Sequence, residues 1–253
     1  MNSEDPNGVS GYVLPWPEGW RETLRRARSY EAKGVERVRT VEVDARGFRD
    51  TGMLLPMKVT PLWWGALFAI LGSFFVFCAL VLLVAAFVEG EWGNLVGVLV
   101  LGAFGTIFWA SVVAVVRRRK DAVPGLRLTP ARIVFDGGAA QGPLSIPWDE
   151  MDGIRLFTTR YGRRTIFPRP WHNWLSLDVK APSAVLEPVG HRASARLAQR
   201  LRTHGVVAIA DSRWRVDAVV AYHAVRFYLD SPDHRRELAD DRAVSRLRRR
   251  ALR

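Results

Sequence analysis

Four arginines alternate with aromatic residues between Arg160 and Trp174, and this stretch has the clearest chemical character in the chain. Its cations and the following tryptophan are Arg160, Arg163, Arg164, Arg169 and Trp171. Guanidinium groups pair with phosphate oxygens, and Trp and Tyr rings favour the headgroup layer of a membrane. The stretch therefore predicts a surface for lipid or partner contact. The alternative is a basic β-hairpin whose aromatic side chains fill a domain core, because Phe167 and Trp174 lie in predicted strands.

Residue types suited to catalysis or metal binding show no comparable pattern. The five histidines occur at spacings that match no metal-ligand pair on a helix. The glycine-rich stretch at 136–142 lacks the Lys-Ser/Thr pair of a phosphate loop, which favours a turn. Asp149, Glu150 and Asp152 are more typical of solvated or arginine-paired carboxylates than of an acid–base pair in a pocket. We therefore expect no catalysis, no metal and no cofactor; an enzyme would need a pocket of convergent polar groups.

Two long uncharged runs divide the chain. The first extends from Val59 to Val88 and the second from Gly93 to Val116. A bilayer core about 30 Å thick requires about 20 apolar residues in a helix, and each run is longer than that. Residues 59–120 therefore predict a transmembrane hairpin with spans at 62–88 and 93–116. Because ionisable residues mark ion and proton pathways and the spans contain none, transport by this chain alone is disfavoured. An accessory subunit of a transport or channel complex stays open as an alternative.

Charges on either side of the spans predict their orientation. The turn between the spans carries Glu89 and Glu91 and no cation. The cations that flank the spans are Lys58, Arg117, Arg118, Arg119 and Lys120. Basic flanks stay in the cytoplasm. The chain is therefore predicted to be a multi-pass protein of the cell membrane with both termini cytoplasmic, and the four cations after the second span are predicted to contact anionic headgroups.

Small residues recur at four-residue spacing along one face of each span. They are Gly65, Ala69 and Ser73 in the first span, and Gly102, Thr106, Ala110 and Ala114 in the second. Small side chains let helix backbones approach closely in a membrane, so these strips predict the packing interface of the hairpin. The alternative is that Gly and Ala are simply common in membrane helices. A homo-oligomer is a separate option, because a channel would need one to build a pore from Ser73, Thr106 and Ser111.

The segments that flank the spans differ in pattern. Residues 1–58 read as an irregular arm, a basic helix at 18–33, a strand at 35–43 and a linker at 46–56. The basic helix either lies on the inner leaflet or docks on the C-terminal domain. Residues 121–230 show short alternating runs separated by turns, which predict a meander of antiparallel strands at 126–129, 132–136, 144–148, 154–157, 164–167 and 175–179, with a further strand at 206–209. Helices are predicted at 193–202 and 217–229, the latter with an apolar stripe.

Several motifs after the spans carry a family resemblance. They are Leu128-Thr129-Pro130, Asp136-Gly137-Gly138, the segment 146–151 and the segment 231–238. Together with the preceding hairpin, they resemble the bacterial pleckstrin-homology-like (PH-like) membrane proteins of actinobacterial type. The resemblance implies an α+β cytoplasmic domain, with a curled antiparallel sheet capped by a helix, that is a scaffold for lipid or protein contacts without catalytic activity. The helix predicted at 193–202 would be an insertion in a minimal domain of this kind.

Residues 231–253 form a basic tail. In a helix, the cations Arg242, Arg246 and Arg249 share one face. Val244 and Leu247 then lie on another face, as in a basic amphipathic helix. Anionic lipid would hold such a tail with about 1 kcal/mol per cation. The alternatives are that Val244 and Leu247 pack on the domain, or that the tail is a frayed helix in solvent.

The net charge of the chain indicates the class of partner. Its 37 Lys and Arg residues oppose 25 Asp and Glu, a formal charge of +12, and most of the excess lies after Val116. A basic domain tethered to a membrane meets anionic lipid first, and no nucleic-acid-reading motif is present in the sequence. We therefore expect anionic membrane lipid as a partner, with an unidentified membrane or cytoplasmic protein as another, and no nucleic acid.

Overall fold

The computed structural model describes residues 14–45, 47–59, 62–90, 92–120, 123–137, 143–161, 169–182, 185 and 205–252. The chain divides into two compact units. One unit comprises Met1–Lys58 together with Pro124–Arg253, and we call it the sheet unit. The other, Val59–Val123, is the helical hairpin. Residues 1–58 thus share a unit with the C-terminal domain rather than standing apart from it.

Two apolar helices form the helical hairpin. Helix α2 is Leu62–Glu89 and helix α3 is Asn94–Lys120. Gly90, just after α2, has a φ of 70°, a conformation that glycine adopts at little cost. An 18-residue window within Gly65–Glu89 has a mean hydropathy of 2.9 with 11% of its residues buried, and one within Asn94–Ala114 has 2.2 with 6% buried. Both helices are therefore long and apolar enough to cross a membrane, and most of their apolar side chains face outward, unlike those of a soluble core helix.

Among the side chains of α2 that the structure describes, the buried ones are small and recur at seven-residue spacing. They are Gly65, Gly72, Ala79 and Ala86. A side chain built at Gly72 would lie 3.0 Å from the Trp109 ring, and one at Gly105 would lie 2.8 Å from Val76 Cγ2. The backbones of α2 and α3 therefore approach closely at these glycines. Phe75 and Phe108 stack beside them, with ring centroids 5.6 Å apart.

The strips predicted at four-residue spacing lie largely outside this interface. Gly65 is buried and Ala69 half-buried, whereas the exposed members are Ser73, Thr106, Ala110 and Ala114. No other part of the structure lies within 4 Å of a side chain built at Gly102. The physical reason is the spacing of the contacts along the interface between α2 and α3. Helices that pack along their whole length repeat their contacts about every 3.5 residues, so a four-residue strip turns away from the partner helix.

A five-stranded antiparallel sheet forms one side of the sheet unit. Its strands, in spatial order, are β1 (Arg39–Ala45), β2 (Phe48–Pro56), β3 (Gly125–Leu128), β4 (Arg132–Asp136) and β5 (Leu144–Pro147). The linker predicted at 46–56 is therefore wrong. Gly47, with a φ of 77°, turns β1 into β2, and the last five residues of β2 are all buried. A strand buried on both faces does not alternate, so its sequence lacks the usual strand signal.

The helical hairpin is inserted between β2 and β3. Pro56 pairs with Gly125 in the antiparallel register, and the Met57 N–H donates to the Pro124 C=O at 2.8 Å. The chain therefore leaves the sheet and returns to it at adjacent positions. This connection has the form of a β-hairpin whose turn is replaced by two helices.

A second antiparallel sheet contains β6 (Met151–Arg160), β7 (Trp171–Val179) and β8 (Gly205–Ala210) in that order. Helix α4 (Ala218–Asp230) begins at Asp217, whose side chain accepts hydrogen bonds from the N–H groups of Val219 and Val220. The helix and both sheets share one hydrophobic core. The predicted single meander is thus two sheets. The strand predicted at 164–167 and the helix predicted at 193–202 lie outside the described residues.

The C-terminal tail packs on the same core. Pro232–Ala239 forms 3₁₀ turns, and α5 (Asp241–Arg248) follows. Val244 and Leu247 are buried with 4% and 1% exposure. The structure therefore agrees with the interpretation in which Val244 and Leu247 pack on the domain.

Candidate functional site: an arginine–aromatic surface

Trp171 lies between two arginines at the end of the β6–β7 pair. The Cζ atom of Arg160 is 4.8 Å from the centre of the Trp171 ring, and the Cζ atom of Arg21 is 5.4 Å from it. Arg160 and Trp171 are also cross-strand partners. Each cation gains about 0.5–1 kcal/mol from an exposed ring face. The same ring therefore holds two positive charges close together, and Trp171 keeps 38% of its surface exposed.

A buried asparagine on β7 positions Arg21. The Arg21 N–H lies 2.9 Å from Asn173 Oδ1 and 3.0 Å from Thr158 Oγ1, and Asn173 Nδ2 donates to the Arg21 C=O at 3.1 Å. Asn173 is fully buried, and an amide side chain can donate and accept at once. These hydrogen bonds attach the N-terminal arm to the second sheet, so the guanidinium of Arg21 reaches Trp171.

Helix α1 (Leu24–Glu31) attaches the arm through a second network, centred on Asp211. The Tyr30 hydroxyl donates to Asp211 Oδ2 at 2.6 Å, and Arg26 Nε lies 3.8 Å from the same oxygen. Burial raises the pKa of Tyr30 and the hydrogen bond to Asp211 raises it further, so the phenol stays protonated. Arg26 also donates to the Trp171 C=O. Of the two predicted positions for this helix, docking on the domain is the observed one.

Exposed hydrophobic side chains coincide with this region. Outside the helical hairpin, the large hydrophobic side chains exposed among the described residues are Leu24 (57%), Trp171 (38%) and Tyr161 (36%). Leu24 begins α1 three residues after Arg21, and Tyr161 follows Arg160. Apolar and aromatic groups mixed with arginines are typical of surfaces that bind a membrane or another protein. We call Arg21, Leu24, Arg160, Tyr161 and Trp171 the arginine–aromatic surface.

The structure places the other predicted contact residues as follows. Arg169, like Arg160 and Trp171, is exposed next to the start of β7. Arg163 and Arg164 lie outside the described residues. The last four residues of α3 are Arg117, Arg118, Arg119 and Lys120.

The tail arginines do not form the free basic face that the helical pattern predicts. Arg246 Nε lies 2.5 Å from Glu237 Oε1, and Arg242 pairs with Asp240 at 2.7 Å. Arg249 is exposed. Because Val244 and Leu247 are buried in the core, α5 has no apolar face left for a bilayer. The apolar half of the predicted amphipathic contact is thus used by the core, and a contact between the exposed tail arginines and lipid stays a prediction.

Sequence patterns placed Arg21 and Leu24 on the predicted basic helix at 18–33 but did not connect them with Trp171. Arg21 lies 137 residues from Thr158 and 152 from Asn173, so only the tertiary structure brings these residues together. One signal was available. The arm around Trp16 and Trp20 has the same mixture of Trp, Pro and Arg as the stretch 160–174.

The chemistry that this surface offers is noncovalent binding of anions. Guanidinium groups provide several charged donors, and the exposed indole provides an amphipathic face next to them. Among the described residues, no group of three or more His, Cys, Asp or Glu is arranged to hold a metal ion. No protein-family model, curated protein or solved structure matches this chain.

Proposed function

We propose that this chain is an integral membrane protein whose PH-like sheet unit binds anionic lipid headgroups through the arginine–aromatic surface, without catalysis. One observation carries the proposal: the exposed large hydrophobic side chains of the described sheet unit lie beside the arginines that flank Trp171. Near an anionic membrane each cation contributes about 1 kcal/mol, and Trp and Tyr rings favour the headgroup layer. The helical hairpin keeps the surface near the bilayer, so weak contacts suffice.

The fold of the sheet unit supports the PH-like interpretation, because antiparallel sheets surround one core together with the C-terminal helix α4. In this proposal the protein crosses the cell membrane twice with both termini in the cytoplasm, since the cations lie outside the acidic turn between the spans. A reporter that works only in the cytoplasm should be active when it is fused after Arg253. Activity of a reporter that requires export would overturn this orientation.

A fluorescence experiment on the full chain tests the lipid contact. The single cysteine, Cys78, is replaced by alanine, and an environment-sensitive dye is attached at Leu24→Cys. In bilayers that contain phosphatidylglycerol, the dye emission should shift to the blue and should be quenched by spin-labelled lipid. High salt should reverse both effects, because salt screens exposed charges. Phosphatidylcholine bilayers should give little of either effect.

Two controls make this result specific. A dye at Ser245→Cys, an exposed position on α5, should report water in every bilayer. Replacing Arg21 and Arg160 by Gln should reduce the shift at position 24, whereas Arg49→Gln, at an exposed site on β2, should leave it unchanged. If position 24 reports water in all bilayers, the surface does not lie on lipid, and a protein partner becomes the better explanation.

A further inference from the structure

Lys58 and Arg213 face each other where the chain leaves the sheet unit for α2. Met57 and Trp214 form an isolated antiparallel bridge. The Lys58 N–H donates to the Arg213 C=O at 2.7 Å, and the Arg215 N–H donates to the Pro56 C=O at 3.0 Å. In this register Lys58 and Arg213 are directly opposite each other.

The side chains of this pair point away from the core. Met57 and Trp214 are buried, with 2% and 0% exposure, and successive side chains of a strand point to opposite faces. Lys58 and Arg213 are both exposed. Like charges directly opposite each other destabilise a strand pair. Among the described residues, neither cation has a salt-bridge partner.

Lys33 adds a third positive charge. Its Nζ donates to the Asp211 C=O at 3.1 Å. Burial lowers the pKa of Lys33, and the positive charge of Lys58 lowers it further, while Asp211 and Asp217 act in the opposite direction. Both of these acids are themselves buried and bonded within the fold: Asp211 accepts from Tyr30, and Asp217 caps α4. We call Lys33, Lys58 and Arg213 the root cluster.

The root cluster lies next to the start of the apolar helices along the chain. Leu62 is four positions after Lys58, and an extended chain covers at most about 14 Å over four steps. The chain returning from α3 reaches the same place, since the Met57 N–H bonds to the Pro124 C=O. If α2 enters the bilayer core at Leu62, Lys58 lies near the level of the lipid phosphates.

We propose that the root cluster binds the phosphate group of an anionic phospholipid in the leaflet that α2 enters. A phosphate offers several acceptor oxygens to two ammonium groups and one guanidinium. Its negative charge also offsets the repulsion among the three cations. A monoester phosphate, which carries more charge and more free oxygens than a diester, should bind more tightly. The inference rests on the membrane insertion of the proposed function but not on the arginine–aromatic surface.

The test uses the full chain in nanodiscs of phosphatidylcholine, alone or with phosphatidylglycerol or phosphatidic acid. Two quantities are measured: the unfolding temperature, and the number of anionic lipids retained when the protein is extracted into detergent. Wild type should unfold at a higher temperature with phosphatidic acid and should retain it. The double variant Lys58→Gln/Arg213→Gln should bind it about tenfold or more weakly, given about 1 kcal/mol per lost cation. The control Arg49→Gln/Arg248→Gln, which loses the same charge at exposed sites, should match wild type.

The sign of the stability change gives a second criterion. In pure phosphatidylcholine, Lys58→Gln/Arg213→Gln should unfold at the same temperature as wild type or a higher one, because a like-charge pair is removed. Trp171→Ala should keep the response to phosphatidic acid, so failure of the arginine–aromatic surface is distinguishable from failure of the root cluster. Equal lipid retention by the double variant and wild type would overturn the proposal. So would an equal rise in unfolding temperature with inorganic phosphate, which would identify a phosphate site with no need for lipid.

Discussion

The helical hairpin and the sheet unit use apolar residues in opposite ways. In the hairpin, Ile70, Phe77 and Val88 are 67%, 64% and 79% exposed, and the buried positions of α2 are glycine or alanine. In the sheet unit, large side chains such as Trp214 and Tyr228 are fully buried. Similar residue types thus lie outside in one region and inside in the other.

With the hairpin in a bilayer, as proposed, the two regions would be stabilised by different forces. Burial of apolar surface contributes about 25 cal/mol per Å² when that surface leaves water. Lipid tails are as apolar as Leu, so helices in a bilayer associate through close packing of small residues instead. A substitution should therefore act only on the region that contains it.

Removing the helical hairpin is the strongest way to test this independence. Joining Lys58 to Val123 through an Asn-Gly turn should give a soluble, cooperatively folding sheet unit, because Met57 and Pro124 are already hydrogen-bonded antiparallel neighbours. The wild-type chain should need detergent. Gel filtration without detergent and a thermal melt would measure the outcome. An aggregated or unfolded product would mean that the sheet unit depends on the hairpin.

A half-buried ion pair in the sheet unit should give the next largest effect. Glu237 accepts from Tyr228 at 2.8 Å and pairs with Arg246 at 2.5 Å. Glu237→Gln should lower the free energy of unfolding by about 1–3 kcal/mol, since it removes the charge-assisted hydrogen bonds to Arg246. Asp240→Asn, in the exposed pair with Arg242, should cost less than about 1 kcal/mol. Similar losses for both variants in denaturant titrations would contradict this assignment.

The same carboxylate predicts a pH dependence. Burial raises the pKa of Glu237, but hydrogen bonds from Arg246 and Tyr228 outweigh it and hold the pKa below its ordinary 4.5. A lowered folded-state pKa stabilises the protein above the ordinary value, and this stability is lost as the pH falls through the folded-state value. Unfolding of wild type should therefore become easier below about pH 4.5. Glu237→Gln should show a shallower slope in that range.

Two glycines on α3 provide a matched test of the hairpin. A side chain at Gly105 would lie 2.8 Å from Val76 Cγ2, whereas one at Gly102 meets no atom within 4 Å. Gly105→Val should lower hairpin stability by about 1–3 kcal/mol through overpacking. Gly102→Val and Ala110→Leu should change it by less than about 0.5 kcal/mol. Stability is measured in detergent with increasing denaturant, and equal losses at positions 102 and 105 would place the interface elsewhere.

Sequence patterns predicted the elements with a clear period or a long uniform run. Both apolar helices, the strands at 132–136 and 206–209 and the helix near 217–229 appear where expected. Sequence patterns missed β2, because a strand buried on both faces does not alternate between apolar and polar residues. They also selected the wrong face of α3 as the packing interface, because small residues occur on more than one face of that helix. The helical period at 18–33 could not predict that Arg21 docks on Asn173, because the two residues are 152 positions apart.

Composition and spacing along the chain determined that two helices are long and apolar enough to cross a membrane, because helix length and side-chain hydropathy are local properties. They also determined which segments are basic. Tertiary structure alone decided which basic residues stay available, since ion pairs such as Arg246–Glu237 join residues that sequence spacing does not mark as partners. It likewise decided that Arg21 meets Trp171 and that Lys58 faces Arg213. Those encounters depend on strand register and buried hydrogen bonds, which are set by the packing of the whole sheet unit.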